Sequence, residues 1–261
     1  MRGTKDGMVF PTLAGRRLRH ALLLLLLGAS MLSACPASED RYSPAVYVVV
    51  IVDQSASFAP LKAVDHRALR VVSDALMRLA IKDWPHPVAF YWAMIGSSGL
   101  HATEPCGSPI SFRRSLLSKR QSGSERTRDA ELRGWFDACL ELLKSGKIPP
   151  EKCTDIRGAL KRASEAAAVA TRHRVIVVLS DFSEDLCPGD SPLELQLNSE
   201  DIIMLHRPDP GDQRDPNRTM EKINRWRSEL ESRGAFVCTK AIYGLVEGAI
   251  TQCVREIRAD G

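Results

Sequence analysis

The chain of 261 residues predicts an α/β fold, a doubly wound and mostly parallel sheet flanked by helices, on three observations. Apolar runs such as Val48-Val-Val-Ile-Val52 and Val175-Ile-Val-Val-Leu179 show no polar alternation, the pattern of strands covered on both faces. Between such runs lie longer stretches whose apolar residues recur at helical spacing. Two of the runs end abruptly in an acid, Asp53 and Asp181. Strand–helix alternation of this kind builds a mostly parallel sheet, and ligands of open α/β sheets bind at the strands' carboxyl ends.

Taken in order, residues 45–53 form the first strand. Leu61, Val64, Ala68, Leu69, Val72, Ala75, Leu76 and Leu79 then line one helix face, with Pro60 near its first turn. Residues 87–95 are a second strand, rich in β-branched and aromatic side chains. A helix within 129–147 turns Leu132, Phe136, Cys139, Leu140 and Leu143 inward, and Ile156, Ala159, Leu160, Ala163, Ala167 and Ala170 mark the next. Further strands fall at 175–179, 202–205 and 235–238. Met220, Ile223, Trp226 and Leu230 line a helix that Gly234 can cap, and 245–257 supply the last one. Residues 97–128 fit no element and read as an insertion, with a short edge strand near 110–112 and a basic, solvated run at 113–120.

The first 34 residues read as an export signal. Arg16, Arg17, Arg19 and His20 precede a short apolar core and then Leu32-Ser-Ala-Cys35. That core is shorter than the roughly 20 residues that span a bilayer. The last four residues resemble a bacterial lipobox, which implies cleavage before Cys35 and lipid on its thiol. The alternatives are an unmodified cysteine or an ordinary cleavage nearby, and Met8 offers a second start. Residues 35–44 then form a lipidated cysteine and tether, and 45–258 the domain. By analogy with known sorting, Pro36 after Cys35 points to the outer membrane, facing the periplasm.

The leader carries five basic side chains and one acid. The chain's net +4 therefore belongs to the leader, and the remainder balances to zero. Nothing global implies nucleic-acid binding. Beyond Cys35 stand six cysteines, Cys106, Cys139, Cys153, Cys187, Cys238 and Cys253, which an oxidising compartment would pair. Cys153–Cys187 is the favoured pair, because both flank acid-bearing loops. No C-x-x-C spacing or finger-type histidine points to zinc.

Asp53-Gln-Ser55-Ala-Ser57 places three hard oxygen donors on one loop at a strand's carboxyl end. Oxygen donors suit Mg²⁺ or Mn²⁺. The plain alternative is a polar turn in which Ser55 or Ser57 caps the next helix. Two later segments supply further donors: Thr154-Asp155 before a helix and Ser180-Asp181 after a strand. The ordered trio resembles the metal-ion-dependent adhesion site of the von Willebrand factor type A family, over roughly 45–258. The resemblance implies that Ser55, Ser57 and Thr154 offer hydroxyls to Mg²⁺ or Mn²⁺, while Asp53 and Asp181 supply charge directly or through water. It also implies that a partner protein's acidic side chain completes the coordination.

Phe182 stands where that family commonly has glycine, and Asp155 and Asp185 add negative charge nearby. The expected function is thus a lipid-anchored, Mg²⁺-dependent protein-binding module of the bacterial envelope, not an enzyme. One alternative is a structural envelope lipoprotein with a non-functional metal loop. The other is a phosphoryl-transfer hydrolase, but those of the haloacid dehalogenase type use D-x-D and position 55 is serine.

Overall fold

A computed structural model describes residues 43–58, 61–96, 99–101, 106, 110–112, 122–208 and 215–259. The leader, Cys35 and the tether up to residue 42 lie outside the described residues. Strand β1 (Val46–Asp53) is buried throughout. It lies between β2 (Val88–Gly96) and β5 (His173–Ser180) and is parallel to both. Beyond β5 come β6 (Asp201–His206) and β7 (Phe236–Ala241), also parallel. Two short strands, β3 (Gly99–His101) and β4 (Ile110–Phe112), pair antiparallel with opposite ends of β2.

The order β3-β2-β1-β5-β6-β7, with β4 also on β2, reverses direction between β1 and β5. In a doubly wound sheet that reversal opens a crevice at the carboxyl ends of the two strands. Asp53 ends β1 there and Ser180 ends β5.

Five helices cover the sheet: α1 (Ala63–Lys82), α2 (Ser122–Lys144), α3 (Ile156–Ala167), α4 (Pro216–Ser232) and α5 (Glu247–Ala259). Strand periodicity sorts the core into two layers. Val46, Val48, Val50 and Val52 pack with Leu69 and Leu76 of α1, Phe136 of α2 and Ile250 of α5. Tyr47, Val49 and Ile51 pack with Ile156 and Leu160 of α3 and Ile223 and Leu230 of α4. Each fully buried valine or isoleucine contributes about 1.5–3 kcal/mol, so β1 alone commits the chain to helices on both sides.

The structure differs from the sequence reading mainly at the edges. Helix α1 starts at Ala63, after Lys62, so neither Ser55 nor Ser57 caps it. Helix α2 starts at Ser122, ahead of the expected 129, and the segment read as an insertion carries β3 and β4. Strand β7 continues through Thr239 and Lys240 to Ala241. An edge strand keeps its ladder on one side only, so its polar residues remove the apolar signature without ending the strand. The six domain cysteines form Cys106–Cys139, Cys153–Cys187 and Cys238–Cys253.

Candidate functional site

Asp53, Ser180 and His206 end neighbouring strands β1, β5 and β6 on the face that carries α3 and α4. Asp53 is fully buried. Its Oδ1 accepts from the Ser55 backbone N–H at 2.7 Å, and its Oδ2 accepts from Ser180 Oγ at 2.6 Å. The first bond curls the chain back at once after the strand. Ser55 and Ser57 thereby face each other, with hydroxyl oxygens 3.1 Å apart. Ser55 is buried while Ser57 is exposed, so the hydroxyl pair spans from the interior to the surface.

Backbone bonds draw the other two loops onto this one. Ala56 N–H donates to Glu151 O at 2.8 Å, and Glu151 N–H donates to Gln54 O at 2.9 Å. Three residues on, Thr154 and Asp185 exchange backbone bonds of 2.6 and 3.2 Å, joining the loop before α3 to the loop after β5. Asp155 N–H donates to Gly96 O at 3.2 Å. The Cys153–Cys187 disulfide closes the same junction covalently. Thr154 is buried, and so is Asp181, whose Oδ1 accepts from Ser183 N–H at 2.8 Å. The loops bearing Asp53, Ser55, Ser57, Thr154 and Asp181 therefore meet at one place.

Asp155 caps α3, its Oδ1 accepting from Gly158 N–H at 2.7 Å. A Cβ at position 158 would meet that carboxylate, so a larger residue there would have to displace the cap. Burial pushes the Asp53 carboxyl up to about 6, against the hydrogen bonds from Ser180 and Ser55; the Asp181 charge adds to the rise. A buried carboxylate resists ionising where no positive charge offsets its desolvation.

The donor set suits a small hard cation. Adjacent ligands of an octahedron with bonds of about 2.0–2.1 Å stand roughly 3 Å apart, and the two serine hydroxyls are 3.1 Å apart. Both Asp53 oxygens already accept protein hydrogen bonds, so its charge would act through space or through a bound water. Among the described residues no group of three or more His, Cys, Asp or Glu side chains is arranged to hold a metal. Any cation here relies on hydroxyls backed by two carboxylates.

Phe182 is in the left-handed region, at φ 56°, where a side chain other than glycine typically costs about 1–3 kcal/mol. Packing offsets that cost. Its ring is buried beside Trp226, with centroids 6.2 Å apart, and its carbonyl accepts from Trp226 Nε1 at 3.0 Å. The side chain thus turns into the α3–α4 core rather than the hydroxyl pair.

Two supporting roles escaped the sequence reading, that of Ser180, noted there only as part of the Ser-Asp pair, and that of Arg207. Ser180 links Asp53 to the backbone N–H of Phe182, which donates to Ser180 Oγ at 2.8 Å. Its signal was a lone hydroxyl closing an apolar strand. Arg207, buried just after β6, donates to Phe58 O, pairs with Asp65 of α1 and stacks over the Phe58 ring at 3.9 Å. Phe58 N–H in turn donates to Ser55 O at 3.0 Å, so Arg207 braces the far end of the serine loop. Nothing local in sequence joins Arg207 to Asp65.

Taken together, the fold and these loops define a doubly wound α/β protein with an oxygen-donor crevice at the sheet's carboxyl edge. No family model matches the chain, and no curated protein matches it in sequence. Among solved structures, the human COPII-coat protein Sec24c is similar at 10% identity and TM-score 0.45, over 85% of this chain and 33% of that one. The conserved hypothetical protein BatB from Bacteroides thetaiotaomicron is similar at 12% identity and TM-score 0.39, over 82% and 99%. Manganese-loaded Plasmodium vivax TRAP protein is similar at 16% identity and TM-score 0.30, over 82% and 63%. The chain thus spans a third of Sec24c and nearly all of BatB. The fold assignment rests on the strand order and register above.

Proposed function

We propose that this chain is a protein-binding module of von Willebrand factor A type, anchored by lipid at Cys35 to a bacterial envelope membrane. Ser55, Ser57 and Thr154 would hold Mg²⁺ or Mn²⁺, Asp53 and Asp181 would balance its charge, and an acidic side chain of a partner protein would complete the coordination. The observation that carries this reading is the joining of three donor-bearing loops by backbone bonds and a disulfide, with two hydroxyls at octahedral spacing. Neutral hydroxyl ligands leave the cation its positive charge, which gives an incoming carboxylate something to neutralise. A binding module is favoured over a hydrolase because serine at position 55 leaves no second acid to act on a leaving group.

One observation favours a purely structural loop: both Asp53 oxygens find donors within the protein. Burial pushes that same carboxyl up to about 6, and a cation beside it would lower the cost of keeping it ionised. Calorimetry separates the two readings. Wild type should bind Mg²⁺ or Mn²⁺. Asp53→Ala and Asp181→Ala should each lower affinity about 100-fold or more, since each removes charge that offsets desolvation of the ion. Thr154→Ala should cost about tenfold, because water can replace a neutral hydroxyl. Absence of binding by wild type would leave the structural reading. Retention of partner from envelope extract in Mg²⁺ but not in chelator would support capture.

A further inference from the structure

The serine loop is held from the sheet at both of its ends. At the near end Ser180, which closes β5, donates to Asp53 Oδ2 at 2.6 Å. At the far end stands Arg207, one residue beyond β6, whose last residue His206 pairs with Ser180 in register. One amino group of Arg207 donates to Phe58 O, the other pairs with Asp65 in the first turn of α1, and the guanidinium lies over the Phe58 ring at 3.9 Å. Phe58 N–H donates to Ser55 O at 3.0 Å, and Asp65 Oδ2 also accepts from Lys62 N–H at 2.5 Å. Three segments therefore converge on one side chain: the end of β6, the far end of the serine loop and the start of α1. Ser55 and Ser57 lie between the two clamps.

The Arg207 and Asp65 side chains are 3% and 0% exposed, so Arg207 is out of reach of a partner in solvent. As a source of stability the pair is a poor choice. Desolvating two charges offsets most of their attraction, and apolar side chains of like volume often serve as well or better. What the guanidinium offers is geometry, a planar fork that bonds a carboxylate and a carbonyl at once while stacking on a ring. A hydroxyl ligand set needs such help, because a small cation demands near-ideal octahedral positions. A loop free to move would lose binding energy in being ordered.

We infer that Arg207 is a positioning residue for the proposed metal site: with Asp65 it fixes the serine loop so that the Ser55 and Ser57 hydroxyls are set before the cation arrives. This role rests on the metal-dependent reading above. It couples β6 and the start of α1 to the cation, although neither supplies a ligand.

The test uses the oxidised mature chain, with Mg²⁺ affinity read by calorimetry and exchange of the Phe58 amide hydrogen read in chelator. Arg207→Met/Asp65→Asn removes both buried charges, while the new amide can still accept from Lys62 N–H. Arg207→Lys keeps a charge facing Asp65 but loses the fork and the stacking. Each variant should stay folded, bind Mg²⁺ at least tenfold more weakly than wild type and exchange Phe58 at least tenfold faster. Ser164→Ala, which removes a buried bond of 2.6 Å from α3 to Glu200, should change neither readout. Wild-type Mg²⁺ affinity in either folded variant refutes the positioning role, and so does unchanged Phe58 exchange. If neither variant folds, the pair is a stability element and the role is refuted as well. An equal loss of affinity in Ser164→Ala would also overturn it, since any loosening of the fold would then weaken the site. A wild type that binds no Mg²⁺ would refute the metal reading and the positioning role with it; faster Phe58 exchange in the variants would then show a brace with no cation to serve.

Discussion

Asp53 carries the most information of any single residue. Its carboxyl is pushed up to about 6 from an ordinary 3.8, chiefly by burial. The sign follows from linkage: a carboxyl raised in the fold binds its proton more tightly there than in the unfolded chain. Its favourable contribution is fully present below the unfolded value and is lost as pH rises through about 6. That rise corresponds to about 3 kcal/mol. In chelator, wild type should therefore lose melting temperature between pH 4.5 and 7 more steeply than Asp53→Asn, which cannot ionise. At pH 7 in chelator the variant should be the more stable of the two, and it should gain nothing from added Mg²⁺. Parallel melting curves for the two proteins across that range would show that the carboxyl carries no such penalty. Asp53, Ser55 and Ser57 were legible because the chemistry lies within five consecutive residues. The contacts of Ser180 and Arg207 were not, because each acts on a residue more than a hundred positions away.

At the level of elements, the strands read clearly where both faces are buried and poorly where one is open. β1 and β5 announce themselves as valine and isoleucine runs, whereas β3 and the far half of β7 carry Gly, His, Thr and Lys on strands at the sheet's margins. The loops that form the crevice are legible only as separate fragments, since the bonds joining Glu151 to Gln54 and Ala56, and Thr154 to Asp185, involve backbone atoms that any sequence supplies. The covalent tie was legible through its cysteines. Cys153–Cys187 is also the disulfide placed to matter for the crevice: both its cysteines are partly exposed, while the other four are buried. Opening it should cost about 3–4 kcal/mol by loop entropy for a closure of 34 residues. Because Thr154 follows Cys153 directly, a Cys153→Ser/Cys187→Ser variant that still folds should bind Mg²⁺ about tenfold more weakly. The matching variant at Cys238 and Cys253, which joins β7 to α5, should lose stability without losing affinity. Equal Mg²⁺ affinity in both variants would separate the disulfide from the site.

Across the whole molecule, charge and hydropathy divide the chain by purpose. The net positive charge sits in the first 34 residues, and the remainder is balanced. Among the described residues no helix is long and apolar enough to cross a membrane. The anchor we propose is the lipid on Cys35. The tether limits what that anchor permits. Ten extended residues reach at most about 35 Å, so an anchored domain would work on partners in the same envelope. One acyl chain holds a protein only marginally, and stable anchoring takes two signals; a lipid-modified cysteine at a mature terminus would have to carry more than one chain. The intact mature protein from membranes should therefore begin at Cys35 and exceed its polypeptide mass by several acyl groups. Cys35→Ser should appear either unprocessed or released into the soluble fraction. Its purified domain should bind Mg²⁺ as wild type does, because the site lies wholly within the domain. A wild-type mass without acyl groups would remove the anchor and leave a freely diffusing domain. A Cys35→Ser domain that loses Mg²⁺ binding would mean that the leader region, and not the crevice alone, builds the site.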